Sequence, residues 1–181
     1  MNFDSYTEQR WMQELYGKYF WNQELSTSSM LLATYDGNRF VGALLADIKS
    51  EPKLKTSLGS RLYVKLFELV MQLIAGKDAN EYDQANQAML TEYKKQGGSI
   101  DGEIKFLAAD PSLKGQGIGS QLLAEFERRA KKKTIYLYTD SNCTYQFYDY
   151  RGFKRVGQRQ LDFDKDFFEC YLYAKVCGQA N

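Results

Sequence analysis

Three glycines at alternate positions, Gly115, Gly117 and Gly119, stand between an apolar stretch that ends at Asp110-Pro111 and a run with helical periodicity. The segment from Leu107 to Leu123 therefore reads as a strand, a Gly-rich turn and the first turns of a helix. Few arrangements constrain a fold as strongly. Such a turn places the helix N-terminus at the C-terminal end of a sheet strand, and it lets backbone N–H groups approach an anion without obstruction from Cβ atoms. The helix adds its partial positive charge, so a pyrophosphate is the natural guest. A dinucleotide fingerprint needs a further Gly at 120, where Ser120 stands, although Asp140 lies near the spacing of a ribose-binding acid. The GxxxxGK[ST] phosphate loop is absent. A Gly turn that only packs a helix on a strand would read the same way.

The rest of the chain fits a mixed α/β domain. A first helix, capped by Asp4 or Ser5, carries Trp11, Leu15, Tyr16, Tyr19 and Phe20 at helical spacing. Residues 30–35 and 39–48 form two strands around the turn Asp36-Gly37-Asn38. A broad apolar helix follows, with Leu62, Leu66, Phe67, Leu69, Val70, Leu73 and Ile74 opposite the narrow polar stripe Arg61, Lys65, Glu68 and Gln72, and Gly76 ends it. Asp78 and Glu81 have the spacing of a capping box for a second helix that turns Ala79, Tyr82, Ala85, Met89 and Tyr93 inward and stops at Gly97-Gly98. Residues from about 50 to 100 are thus a helical hairpin inserted between strands. The expectation is that its apolar face lies against the α/β body first, a twin subunit second or an acceptor third. Beyond the Gly turn, Ile118, Leu122, Leu123, Phe126 and Ala130 share one helix face, 135–139 is a strand, 144–150 a short helix, and 154–162 and 168–176 two closing strands. One domain spanning 1–181 is expected.

The chain has no histidine, which excludes His-based triads and His-ligated zinc. Cys143, Cys170 and Cys177 have no metal-like spacing, and their odd number argues against a disulfide framework. No metal is expected. Lys and Arg number 24 against 23 Asp and Glu, so no concentrated basic face suggests a nucleic acid. The polar start, Met1 to Arg10, has no signal-peptide core, and no run is long and apolar enough for a membrane span. A cytoplasmic setting is the expectation.

Two segments together resemble the GNAT family of N-acetyltransferases. Lys114-Gly115-Gln116-Gly117-Ile118-Gly119 is similar to that family's (Arg/Gln)-x-x-Gly-x-(Gly/Ala) loop, with Lys in the first place. Phe147-Tyr148-Asp149-Tyr150-Arg151-Gly152-Phe153 is similar to its Phe-Tyr-x-x-x-Gly-Phe motif, and the interval holds the same helix, strand and short helix. The family usually opens with a strand before its first helix, and none is legible here. Its members often carry Asn seven residues before the motif Tyr, where this chain has Ser141 with Asn142 next to it.

The resemblance implies an acyltransferase fold, an α/β mixed sheet in which an amine attacks acetyl-CoA directly in a ternary complex. It implies that the backbone of Leu107 and Ala109 pairs with the pantetheine arm at a splayed sheet edge. Lys114, Gly115, Gln116, Gly117, Gly119 and Ser120 would surround the phosphates, and Asn142 would reach the pantetheine arm. Tyr148 matches the tyrosine that protonates the leaving thiolate, a near-balanced transfer for a phenol of ordinary acidity. Glu103 aligns with the glutamate that serves as base in some members; equally, Glu103 and Lys105 share a strand face and could simply pair. Cys143 reads either as an acyl carrier or as a packed thiol. The acceptor is a small-molecule or protein amine, and a homodimer is compatible with the apolar insertion. The other reading of the same motifs is a silent acyl-CoA-binding module that senses or docks.

Overall fold

The elements follow from the hydropathy periods. In the computed structural model, which describes residues 10–74, 81–163 and 166–178, the chain runs α1 (Arg10–Thr27), β1 (Met30–Asp36), β2 (Arg39–Ile48), α2 (Leu58–Ile74), α3 (Glu81–Lys95), β3 (Gly102–Ala109), a 3-10 turn (Pro111–Leu113), α4 (Ile118–Arg129), β4 (Thr134–Asp140), α5 (Gln146–Tyr150), β5 (Lys154–Phe163) and β6 (Asp166–Val176). Side chains of 10, 70–74, 162–163 and 166–167 lie outside the description, as do the proposed caps at Asp4, Ser5 and Asp78 and the stop at Gly76.

Six strands form one sheet in the order β1-β2-β3-β4-β6-β5. Only the β3–β4 pair is parallel; the others are antiparallel. Val41 to Ala46 of β2 are all buried, as expected of a strand covered on both faces. On one face Ile118, Leu122, Leu123, Phe126 and Ala130, the positions the helical period picks out, close a core with Leu44, Ile104, Ile135, Leu137 and Tyr173. Gly42 makes that contact possible, because a Cβ there would come within 2.9 Å of Ile118 and 3.0 Å of the Ala108 carbonyl. On the other face Met89 of α3 packs with Tyr136, Cys170, Leu172 and Ala174. Gly97 takes φ +88°, and Gly98 N–H donates to the Tyr93 carbonyl at 3.0 Å, so the two glycines stop α3 as their position in the sequence requires.

The inserted helices depart from the hairpin expectation. α3 lies on β5 and β6, whereas α2 lies on α1. The reason is ring packing. Phe67 stacks on Tyr19 with centroids 4.3 Å apart, and the Tyr63 hydroxyl donates to the Leu15 carbonyl at 2.9 Å. That orientation turns Leu58, Leu62, Leu66 and Leu69 outward, at 82, 69, 58 and 56 % exposure, so the α/β body does not cover them. Trp11 and Leu15, two of the α1 residues at helical spacing, are also exposed. Leu66→Asp should therefore change folding stability by less than about 1 kcal/mol, as surface substitutions do. Denaturant unfolding checks this; a loss of several kcal/mol would mean that Leu66 is covered.

Candidate active site

The parallel pair β3–β4 holds for two rungs only, Gly102↔Ile135 and Glu103↔Tyr136, and then the strands diverge. β3 stays paired to β2 along its length. Asp110 N–H donates to the Val41 carbonyl at 2.8 Å, so strand alternation sends the N–H and C=O groups of Leu107 and Ala109 the other way, into the gap beside β4. The gap is a wedge with an unpaired backbone edge on its β3 side.

A β-bulge decides which side chains face which layer. The β2–β3 register shifts between Leu45 and Ala46, so Lys105 of β3 has no opposite number. Lys105 and Phe106 consequently both face α1: Lys105 reaches Thr27 Oγ1 at 2.6 Å and Glu24 at 3.3 Å, and Phe106 meets the rings of Phe20 and Trp21. Leu107 is returned to the α4 core.

At the mouth of the wedge, Asp110 accepts from Ser112 N–H at 2.9 Å and from Arg39 at 2.5 Å, which ties down the start of the Gly turn. Gly115 and Gly117 have φ +88° and +77°, a region that favours glycine, and nothing lies within 4 Å of where either Cβ would be. Gly117 caps α4 without a side-chain bond, and the first helical bond runs from Gln121 N–H to the Gly117 carbonyl at 2.9 Å. The N–H groups of Ile118, Gly119 and Ser120 precede it and have no partner within the helix. Lys114 and Gln116 are exposed on the turn, and Lys114 joins no ion pair among the described residues. Arg151, which the motif comparison left without a role, crosses from α5 to bond Ser120 Oγ and lies over the Phe147 ring.

Tyr148 stands on α5, on the α4 side of the sheet. Its ring packs at 5.7 Å from Phe153 and 5.3 Å from Phe147, and its hydroxyl has no hydrogen bond among the described residues. Burial, with a smaller contribution from Cys143, pushes its pKa up to about 12. The near-balance with a thiolate expected from the sequence is shifted: the phenol stays protonated but is a weaker acid. Cys143 is half-buried and free of disulfides. Asn142 is exposed and uses its backbone N–H on Asp140 Oδ1 at 2.9 Å. Ser141 is occupied in joining β6, its Oγ accepting from Glu169 N–H at 3.1 Å.

Glu103 lies on the opposite face, at the apex of the wedge. It does not pair with Lys105, which is taken by α1. Instead Tyr136 donates its hydroxyl to Glu103 Oε2 at 2.9 Å. Burial raises the Glu103 pKa, and the Tyr136 hydrogen bond and the Lys105 charge oppose that rise. Tyr136 belongs to neither sequence motif; the period of a strand over 135–139 assigns it a face of β4, but no sequence signal sets it beside Glu103. Among the described residues, no group of three or more His, Cys, Asp or Glu could hold a metal ion, and no helix is long and apolar enough to cross a membrane.

The acetyltransferase (GNAT) family model matches residues 2–153, and the chain belongs to that family. Among solved structures, it is similar to a Drosophila melanogaster polyamine N-acetyltransferase that forms N-acetylagmatine (TM-score 0.55, 14 % identity, 94 % of this chain and 82 % of that one). It is likewise similar to a Corynebacterium glutamicum protein described as histone acetyltransferase HPA2 and related acetyltransferase (0.52, 18 %, 89 % and 72 %). A third is an N-acetyltransferase from Staphylococcus aureus Mu50 (0.50, 16 %, 95 % and 85 %). At these identities the likeness concerns the fold. No curated protein matches the chain by sequence.

Proposed function

We propose that the protein is an N-acetyltransferase that transfers the acetyl group of acetyl-CoA to a primary amine by direct attack. One observation carries the reading: β3 and β4 part immediately after Glu103, leaving Leu107 and Ala109 with open backbone groups that lead to the positive-φ Gly turn. An extended amide-bearing arm fits such an edge as an added strand, with its pyrophosphate at the α4 N-terminus. Lys114 supplies a neighbouring cation, and Ser120, held by Arg151, a hydroxyl.

In this reading the amine nitrogen attacks the thioester carbonyl; the C–N bond forms and the C–S bond breaks. The proton lost by the nitrogen passes to Glu103, directly or through a water, and the thiolate takes a proton from Tyr148, which solvent later restores. The two groups flank the wedge from opposite faces, so acceptor and donor enter from different sides. The acceptor is a small-molecule or protein amine.

A ligand that binds only the folded state stabilises it by about 2.7 kcal/mol at a hundredfold excess over its Kd. For a chain of this size acetyl-CoA should raise the thermal midpoint by roughly 5–10 °C. NADH and ATP, which lack the pantetheine arm, should do much less. A shift with NADH and none with acetyl-CoA replaces this reading with a dinucleotide site.

A further inference from the structure

We propose that Tyr136 is the positioning residue for the proton-accepting carboxylate, holding Glu103 at the apex of the wedge through its hydroxyl. The inference rests on the acetyltransferase reading above and adds to it a residue outside both sequence motifs.

Three observations meet at this pair. Glu103↔Tyr136 is the last rung before β3 and β4 separate, so the backbone fixes both Cα positions where the gap begins. The Tyr136 hydroxyl donates to Glu103 Oε2 at 2.9 Å. The Tyr136 ring is immobilised in the core beneath α3 with Met89 and Leu172, and Tyr138 meets it edge-on at 5.5 Å. A carboxylate has several rotamers from a strand, and a donor on a fixed ring selects one of them. The alternative partner on the same face, Lys105, is drawn away by Glu24 and Thr27.

The charged and titratable groups around Glu103 define what the hydroxyl does. Lys105 shares its strand, Glu24 faces it from α1, and Asp47 lies opposite it on β2 with Lys53 as its own partner. Tyr136 and Tyr138 face it from β4, and burial and the Glu103 charge both push these phenols up, so they remain neutral donors. Glu24 and Asp47 disfavour the ionised Glu103, as burial does; Lys105 and the Tyr136 hydroxyl favour it. Without the hydroxyl, Glu103 holds its proton to higher pH, so on the acidic limb a smaller fraction of it is ionised and able to accept a proton from the amine.

Tyr136→Phe keeps the ring and removes the donor. Carboxyl carbon-13 resonances of glutamate-labelled protein, with Glu103→Gln to assign the signal, should show Glu103 titrating at higher pH in Tyr136→Phe than in the wild type. With acetyl-CoA and the amine that turns over fastest in an acceptor panel, the acidic limb of kcat/KM moves to higher pH, giving about tenfold lower kcat/KM on that limb and little change on the plateau. The thermal midpoint of each variant checks that it is folded. Wild-type turnover in Glu103→Gln overturns the base assignment on which the inference rests. An inactive Glu103→Gln together with an unmoved Glu103 titration in Tyr136→Phe overturns the role of Tyr136 alone. Unaltered acetyl-CoA binding accompanies either result if the donor site is as proposed, which separates these failures from failure of the acetyltransferase reading.

Discussion

Replacing Gly117 with Asp is expected to leave a folded protein that acetyl-CoA no longer stabilises. The new Cβ meets no atom within 4 Å, so sterics within the chain do not forbid it. The φ of +77° costs an L-residue roughly 1–2 kcal/mol, and Asp is among the residues that tolerate that region best. Its carboxylate at the α4 N-terminus recovers part of this, about 0.3–1 kcal/mol, through the helix dipole. For a pyrophosphate in the same place the effect reverses. A like charge 4 Å away costs about 4 kcal/mol at an effective dielectric of 20, close to a thousandfold in Kd. Gly117→Asn carries the same shape without the charge and should lose tenfold at most. Calorimetry with acetyl-CoA measures both variants. Equal, wild-type affinities would show that the turn serves only to pack α4 on the sheet.

Tyr148→Phe is expected to lower kcat by about 10²–10⁴-fold with acetyl-CoA affinity nearly unchanged, the usual contribution of a placed general acid. The ring contacts to Phe147, Phe153 and Tyr173 survive the substitution, and no hydrogen bond among the described residues is lost with the hydroxyl. Fold and donor binding should therefore persist. The pH dependence has a definite sign. With its pKa pushed up to about 12, Tyr148 keeps its proton through the neutral and mildly alkaline range. The rate should fall for want of this acid only as pH rises toward that value, so no basic limb from Tyr148 is expected below about pH 10. Single-turnover rates across pH test both statements. Wild-type kcat in Tyr148→Phe removes the residue from the chemistry.

The parts of the fold set by local chemistry were legible in the sequence. α4 was readable because Ile118, Leu122, Leu123, Phe126 and Ala130 repeat at helical spacing, and all five are buried. The Gly turn was readable because a positive φ favours glycine, and Gly115 and Gly117 both have one. What stayed hidden depends on pairing between distant segments. The bulge at Lys105 reverses the alternation of β3, so Glu103 and Lys105 share a face as expected but take partners from different layers. The Glu103–Tyr136 rung joins residues far apart in the chain, and no periodicity announces it. The orientation of α2 is hidden for a related reason. Its apolar character predicts burial of Leu62 and Leu66, but the rings of Tyr16 and Tyr19 on α1 hold Phe67, the Leu15 carbonyl holds the Tyr63 hydroxyl, and the leucines turn outward.

The most direct measurement is coenzyme A release by the purified protein from acetyl-CoA across a panel of polyamines, amino acids, aminoglycosides and peptide N-termini, with mass spectrometry of the acceptor in the same reactions. Thiol release in step with one acetylated amine is expected, strongly reduced in Tyr148→Phe and absent in Gly117→Asp. Tight acetyl-CoA binding with no acetylated product from any acceptor class would contradict it and leave a sensing or docking module in place of an enzyme.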